Sequence, residues 1–293
     1  MSKPILAILY DFDSTLANSD MQNFGFIPAM GLTPAEFWTQ TSEFGNKTHC
    51  ERTLSYLYTM LACCRERNIK MTAAWLREMC ANIQYYPGVE GWFERINKYG
   101  DDHGVKVEHY LISSGNKEIV DGCSIAKYFR KMYACEFLFD EKTKEAIWPK
   151  QVINYTQKTQ YFFRISKGVY DANDDKGINT HVEKRRIPYG NIVYIGDGMT
   201  DVPAMLVVKS NGGRSIAVFE KGKEEVVNQL VKDGRVNFAC LADYRENKSL
   251  DKILKLIIQG VAINEQLGFQ EDQTIAKQKA SEEQANSASN KEE

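Results

Sequence analysis

Ile5-Leu6-Ala7-Ile8-Leu9-Tyr10-Asp11-Phe12-Asp13-Ser14-Thr15 is an apolar run that ends abruptly in two carboxylates one residue apart. Apolar residues in unbroken succession, bounded by polar ones, predict a strand covered on both faces, the kind found inside parallel sheets. Ligands of such sheets collect in the crevice beyond the carboxyl ends of the strands. Asp11 and Asp13 fall at that end, where chemistry is expected.

Working outward, the pattern turns helical after Leu16 and stays so until about residue 100. Thr33-Pro34-Ala35-Glu36 is a capping box with proline at the first helical position. Cys50, Leu54, Leu57, Tyr58 and Leu61 recur at helical spacing, Thr72 can cap a helix carrying Trp75, Leu76 and Met79, and 89–99 reads as a helix closed by Gly100. Strand signals then return. Val105, Val107, His109 and Leu111 alternate, Tyr110-Leu111-Ile112 runs into Ser113-Ser114-Gly115, a helix follows from Lys117, and 135–139 is a short strand. Residues 151–171, rich in Val, Ile, Tyr, Phe and Thr with Gln157-Lys158-Thr159 as a turn, predict a β-hairpin or flap. A helix at 176–184, strands at 192–195, 215–219 and 236–241, and a helix at 249–263 complete the pattern.

Strand, helical insertion, then repeated strand-helix units predict an α/β fold: a parallel-sheet core from 1–16 and 102–265, with 140–172 as a β flap, interrupted by an α-helical domain at 17–101. Residues 266–293 shift to Gln, Glu, Lys, Ser, Asn and Ala, too few apolar groups to pack, and predict a disordered tail or a fraying helix. The 37 Lys+Arg against 39 Asp+Glu leave a net charge of -2, which gives no field to draw the chain to nucleic acid or anionic lipid. The start lacks the basic region, apolar stretch and small-residue cleavage site of a secretory signal, and no apolar segment is long enough to span a bilayer. The seven cysteines are odd in number and without C-x-x-C spacing, as expected for buried free thiols in a reducing, cytoplasmic compartment. His49, His103, His109 and His181 show no zinc-ligand spacing.

Further polar residues follow apolar strands as Asp11 does: Ser113 after Tyr110-Leu111-Ile112, Asp197 after Val193-Tyr194-Ile195-Gly196, and Asp201 just beyond. Parallel strands with short loops bring such ends together. Each residue type has a role in phosphoryl transfer. A carboxylate at Asp11 can attack phosphorus and form an aspartyl-phosphate, and Asp13 can protonate the leaving oxygen and then deprotonate water. Mg²⁺ prefers hard oxygens and keeps several waters, so Asp11 and Asp197 with one main-chain carbonyl suffice to hold it. Ser113 and the amides of Ser114 and Gly115, at a helix start, suit phosphate oxygens, and Lys176 adds positive charge. Lys167 and Lys184 compete for that last role; Lys176 is preferred for the helix it opens and the glycine after it.

These residues resemble, in order, the four motifs of the haloacid dehalogenase superfamily: Asp11-Phe12-Asp13-Ser14-Thr15-Leu16, Ile112-Ser113-Ser114-Gly115, Lys176-Gly177, and Gly196-Asp197-Gly198-Met199-Thr200-Asp201. The resemblance implies a Rossmann-like core with a helical cap, Asp11 as nucleophile, Asp13 as acid/base, Asp197 and the Asp13 carbonyl as further Mg²⁺ ligands, and Asp201 supporting the metal shell or the lysine. Asp13 favours ester hydrolysis over halide displacement, because an alkoxide needs a proton to leave and a halide does not. The insertion and Asp20 are similar to the phosphoserine-phosphatase-like branch, in which an acid and a cap arginine face the substrate's amino and carboxylate groups; Asp20 and Arg52 are the matching positions. Asp20 is shorter than the usual glutamate and Thr200 replaces a common Asn, so phosphoserine is one candidate among small phosphorylated metabolites. A phosphotransferase, a phosphonate hydrolase with Lys47 or Lys70 as the electrophile-forming lysine, and a phosphate-ligand binding protein without turnover are the alternatives.

Overall fold

The computed structural model describes residues 3–289, with side chains through residue 279. Strand β1 (Ile5–Tyr10) is buried from Leu6 onward, as its unbroken apolar run requires. Helices α1 (Phe26–Ala29), α2 (Pro34–Thr48), α3 (Arg52–Glu66), α4 (Ala73–Glu78) and α5 (Val89–Asp102) follow before β2 (Lys106–Asn116). The chain continues through α6 (Lys117–Asp121), β3 (Phe129–Phe139), β4 (Ala146–Gln151), α7 (Lys158–Lys167) and α8 (Asp175–Asn179). It closes with β5 (Ile192–Gly196), α9 (Val202–Ser210), β6 (Arg214–Phe219), α10 (Glu224–Lys232), β7 (Phe238–Leu241) and α11 (Ser249–Ser289).

The strands form one seven-stranded sheet in the order β4-β3-β2-β1-β5-β6-β7. Every pairing is parallel except β3 with β4. The central strand β1 sets Tyr10 opposite Leu111 on β2 and opposite Ile195 on β5, so the polar residues after β1 and β5 and those in the last part of β2 emerge at one end of the sheet. The α/β fold is therefore as the apolar runs predict.

The capping box at Thr33 forms as read: its Oγ1 accepts from the Glu36 N–H, and the Glu36 carboxylate accepts from the Thr33 N–H. Thr72 likewise accepts from the Trp75 N–H. Gly100, by contrast, does not close α5. It lies within the helix, which ends at Asp102, and glycine stands there because a side chain would meet Val107 at 2.6 Å. Helix α5 also belongs to the sheet layer, since Phe93 packs on Tyr10, His109 and Phe129. The inserted segment is pinched at its base, where the Asn18 N–H donates to the Gln84 carbonyl and the Tyr86 N–H to the Leu16 carbonyl.

Three other expectations change. Residues 151–171 are not a hairpin: the antiparallel pair is β3 with β4, and α7 follows it. The aromatic residues of α7 suggest a strand, but Lys158, Tyr161, Phe162 and Ile165 fall on one helical face and are buried together. The predicted helix over 176–184 shortens to α8. Residues 266–289 continue α11 as a single helix, consistent with the high helix propensity of Gln, Glu, Lys and Ala; 290–293 lie outside the described residues. All seven cysteines are free, and Cys63, Cys64, Cys123, Cys135 and Cys240 are buried. Among the described residues no helix is long and apolar enough to cross a membrane.

Candidate active site

The Asp11 backbone stays tied to the sheet, its N–H donating to the Ile195 carbonyl of β5 at 3.0 Å. The chain then turns sharply. Ser14 adopts the left-handed conformation (φ 54°), and the Phe12 carbonyl collects the N–H groups of Thr15, Leu16 and Ala17. This turn presents Asp11 and Asp13 in the same crevice. Asp11 Oδ1 accepts from the Phe12 N–H at 2.8 Å, and Asp13 Oδ1 accepts from the Met21 N–H at 2.7 Å.

The end of β2 faces Asp13. A side chain on Gly115 would begin 2.1 Å from Met21 Cε and 3.0 Å from Asp13 Oδ2, so glycine lets Met21 and Asp13 close in on this strand. The Gly115 N–H donates to Ser113 Oγ at 2.9 Å, and Asn116 caps α6 by accepting from the Ile119 N–H. A buried hydroxyl, a glycine amide and a helix start thus lie beside the Asp13 carboxyl, an arrangement suited to phosphate oxygens.

The third side of the crevice comes from β5 and α7. Asp197 follows β5 directly, and Asp201 is fully buried just before α9. Lys158, only 1% exposed, opens α7 and places its ammonium 3.0 Å from Asp11 Oδ1 and 2.7 Å from Asp201 Oδ1. Tyr194 Oη donates to the same Asp201 oxygen at 2.8 Å. The basic residue beside Asp11 and Asp201 is therefore Lys158 and not Lys176, which is exposed on α8. The two competing lysines also lie elsewhere: Lys167 donates to the carbonyls of Ile178 and Thr180, and Lys184 is exposed. Lys158 fell within the segment read as a hairpin turn, which concealed it. The available signal was the apolar periodicity that starts at Lys158 and makes this segment a helix.

Charge is unbalanced here. Burial raises the pKa of Asp11, with Asp201 adding to the shift and Lys158 opposing it. Burial likewise raises Asp197, reinforced by Asp201 and Asp11, and raises Asp13, reinforced by Asp20 and Asp11. Burial works against the Lys158 ammonium, yet Asp11 and Asp201 more than offset it and its pKa is raised. One cation does not neutralise so many acids, so a further positive charge would be stabilised.

The donor set fits a hard divalent ion. One oxygen each from Asp11, Asp197 and Asp201 lies within 4.8 Å of the others. Asp201 Oδ2 is buried and has no hydrogen-bond partner, and a side chain on Gly196 would begin 2.3 Å from it. Carboxylate oxygens of this kind suit Mg²⁺. Asp20 stands next to this group, where it acts on Asp13; burial raises its own pKa, and Arg52 at the start of α3 opposes that shift. A separate cavity of about 860 Å³, lined by Cys80, Tyr85, Tyr86, Gly88, Glu90 and Ser124 among others, contains none of the acids of the crevice.

The family model of haloacid dehalogenase-like hydrolases matches residues 8–206. A protein of Borreliella burgdorferi described only as uncharacterized is 28% identical over 273 residues, covering 84% of this chain and 94% of its own. Among solved structures, a haloacid dehalogenase family hydrolase from Salmonella enterica serovar Typhi superposes with a TM-score of 0.55 at 14% identity, over 87% of this chain and 72% of that one. A phosphoserine phosphatase carrying a phospho-aspartyl intermediate analogue superposes with a TM-score of 0.50 at 16% identity, over 87% of this chain and 99% of that one.

Proposed function

This chain belongs to the haloacid dehalogenase-like hydrolase family, and we propose that it is a Mg²⁺-dependent phosphatase that hydrolyses a small-molecule phosphate monoester through a phosphorylated Asp11. The observation that carries this reading is the placement of Asp13. Its carboxyl has Oδ1 fixed by the Met21 N–H, and Oδ2 stands against Gly115 near the end of β2. An acid so placed is within the reach of a leaving oxygen on a phosphate seated at Ser113 and Gly115.

In the first step an Asp11 carboxylate oxygen attacks phosphorus, the bond from phosphorus to the ester oxygen breaks, and Asp13 donates its proton to that oxygen. In the second, Asp13 takes a proton from water as the water oxygen attacks phosphorus, and the bond to Asp11 breaks to release inorganic phosphate. The Ser113 hydroxyl, whose oxygen is held by the Gly115 N–H, and the Ser114 amide are the proposed donors to the phosphate oxygens, and Lys158 fixes the Asp11 carboxylate while balancing its charge. Asp11, Asp197 and Asp201, with the Asp13 carbonyl as a further donor, would hold Mg²⁺, whose positive charge would offset the repulsion between the nucleophile and an anionic ester.

Arg52 is near enough to Asp20 to oppose the rise in its pKa, and these two are the proposed contacts for the carboxylate and ammonium of an amino-acid phosphate, with phosphoserine as one candidate. The helical segment between β1 and β2 is the proposed cap, and the free thiols suit a reducing compartment, for which we propose the cytoplasm. Phosphate release from an aryl phosphate tests the whole: Mg²⁺ should be required, EDTA should abolish it, and Asp11→Asn should remove it. Turnover by Asp11→Asn at the wild-type rate would refute the nucleophile.

A further inference from the structure

Tyr56 lies on the inserted helix α3, one turn after Arg52 and on the same face. Its ring is buried, and its hydroxyl donates to the main-chain carbonyl of Ser114 at 2.7 Å. The Cys135 thiol of β3 donates to the same oxygen at 3.3 Å. These side chains act where the sheet does not: the β2–β3 register is interrupted between Ile112 and Asn116, and Ser114 sits inside that interruption. Irregularities of this kind re-aim backbone groups beside active sites.

The consequence follows from peptide geometry. The Ser114 carbonyl and the Gly115 N–H belong to one planar trans unit and point in opposite directions, so fixing the carbonyl fixes the amide. Here the Gly115 N–H is directed toward Ser113 Oγ, and Gly115 itself lies against Asp13. Two donors on the carbonyl also polarise the amide and strengthen its N–H as a donor. The thiol extends the connection, because the Ile153 N–H donates to Cys135 Sγ at 3.3 Å, and the next residue, Asn154, accepts from the N–H of Lys158. One buried chain of hydrogen bonds thus joins α3, the end of β2 and the segment that delivers Lys158.

We propose that Tyr56 is a positioning residue for phosphate: its hydroxyl, with the Cys135 thiol as second donor, holds the Ser114–Gly115 peptide so that the Gly115 N–H stays on Ser113 Oγ and leaves that hydroxyl's proton for the phosphate, and makes phosphate affinity depend on the docked position of α3. This rests on the phosphatase reading of the site. Tyr56 touches neither the reacting atoms nor the metal ligands, and its ring contact with Trp38, at 6.2 Å, survives in phenylalanine.

The test is calorimetric titration of the full-length, Mg²⁺-loaded protein with inorganic phosphate, with Mg²⁺ affinity and thermal midpoint measured alongside. Tyr56→Phe should weaken phosphate binding about 10-fold, the equivalent of one hydrogen bond, while Mg²⁺ affinity stays within about twofold, an outcome that general destabilisation does not produce. Cys135→Ser keeps a donor and should bind phosphate as the wild type does, whereas Cys135→Ala should weaken it several-fold; that pair decides the matter should Tyr56→Phe fail to fold. Wild-type phosphate affinity in Tyr56→Phe, or in Cys135→Ala where the first variant does not fold, overturns the role of this carbonyl and leaves the phosphatase standing. A wild-type protein that binds no phosphate with Mg²⁺ present overturns the phosphatase reading, and this inference with it.

Discussion

Lys158→Met is the most discriminating substitution at this site. Methionine keeps the length of the side chain and its apolar stem and removes the charge. In the wild type the ammonium is 3.0 Å from Asp11 and 2.7 Å from Asp201, with both carboxyls buried. Removing one partner of a buried ion pair costs about 3–5 kcal/mol, because the remaining charge is left without compensation. Here that cost falls on Asp11 in its reactive, ionised form. Expressed as a barrier, 3–5 kcal/mol is a fall of roughly 10²–10⁴-fold in kcat/KM. The assay is steady-state hydrolysis of p-nitrophenyl phosphate with Mg²⁺, run beside Lys176→Met. Lys176 is exposed, so its substitution should leave kcat/KM within about twofold, as surface changes usually do. Activity of Lys158→Met within about threefold of wild type, or a large loss in Lys176→Met, would refute the assignment.

Gly115→Ala puts a methyl group 2.1 Å from Met21 Cε and 3.0 Å from Asp13 Oδ2, and should lower kcat more than 10-fold as the acid is displaced, a change read from the same assay. Asp20→Ala and Arg52→Ala should raise KM for an amino-acid phosphate while leaving p-nitrophenyl phosphate hydrolysis nearly unchanged; equal effects on both substrates would remove these residues from substrate recognition. Away from the site, burial pushes the Glu108 carboxyl up, but its contacts with Arg186 at 2.6 and 2.8 Å, with Tyr110 and with Lys106 outweigh this and hold it down to about 2. A depressed carboxyl stabilises the fold above its ordinary pKa of 4.5 and loses that contribution as pH falls from there toward 2, on the order of 3 kcal/mol in all. Urea unfolding of Glu108→Gln should therefore show lower stability at neutral pH and a flatter acid limb than wild type.

How much of this was legible in the sequence depends on where each signal resides. The β1 run announces burial on both faces through its own composition, and the capping box at Thr33 is a local hydrogen-bond pattern, so both can be read from neighbouring residues. Asp11, Asp13, Ser113 and Asp197 are legible for a related reason: parallel strands paired in register bring the residues at their carboxyl ends to one place. Lys158 is different. Its role arises from Asp11 and Asp201, which are distant in sequence, and the aromatic residues after it have strand-like preferences that tertiary packing overrides. Tyr56 is equally silent, since one more tyrosine on an amphipathic helix says nothing of a carbonyl across the crevice. In the C-terminal segment the polar composition correctly predicts little burial, and helix propensity rather than packing decides its form.

The central claim is that Asp11 carries the phosphoryl group between substrate and water. p-Nitrophenolate leaves without needing a proton, so Asp13→Asn should still allow the first displacement from p-nitrophenyl phosphate and stall the second, which needs a base. Asp13→Asn, mixed with Mg²⁺ and this substrate, quenched in acid and digested, should yield a peptide phosphorylated at Asp11 with close to stoichiometric release of nitrophenolate. Phosphate transferred to solvent with no phosphorylated Asp11, in the variant or in the wild type under rapid quench, would contradict it.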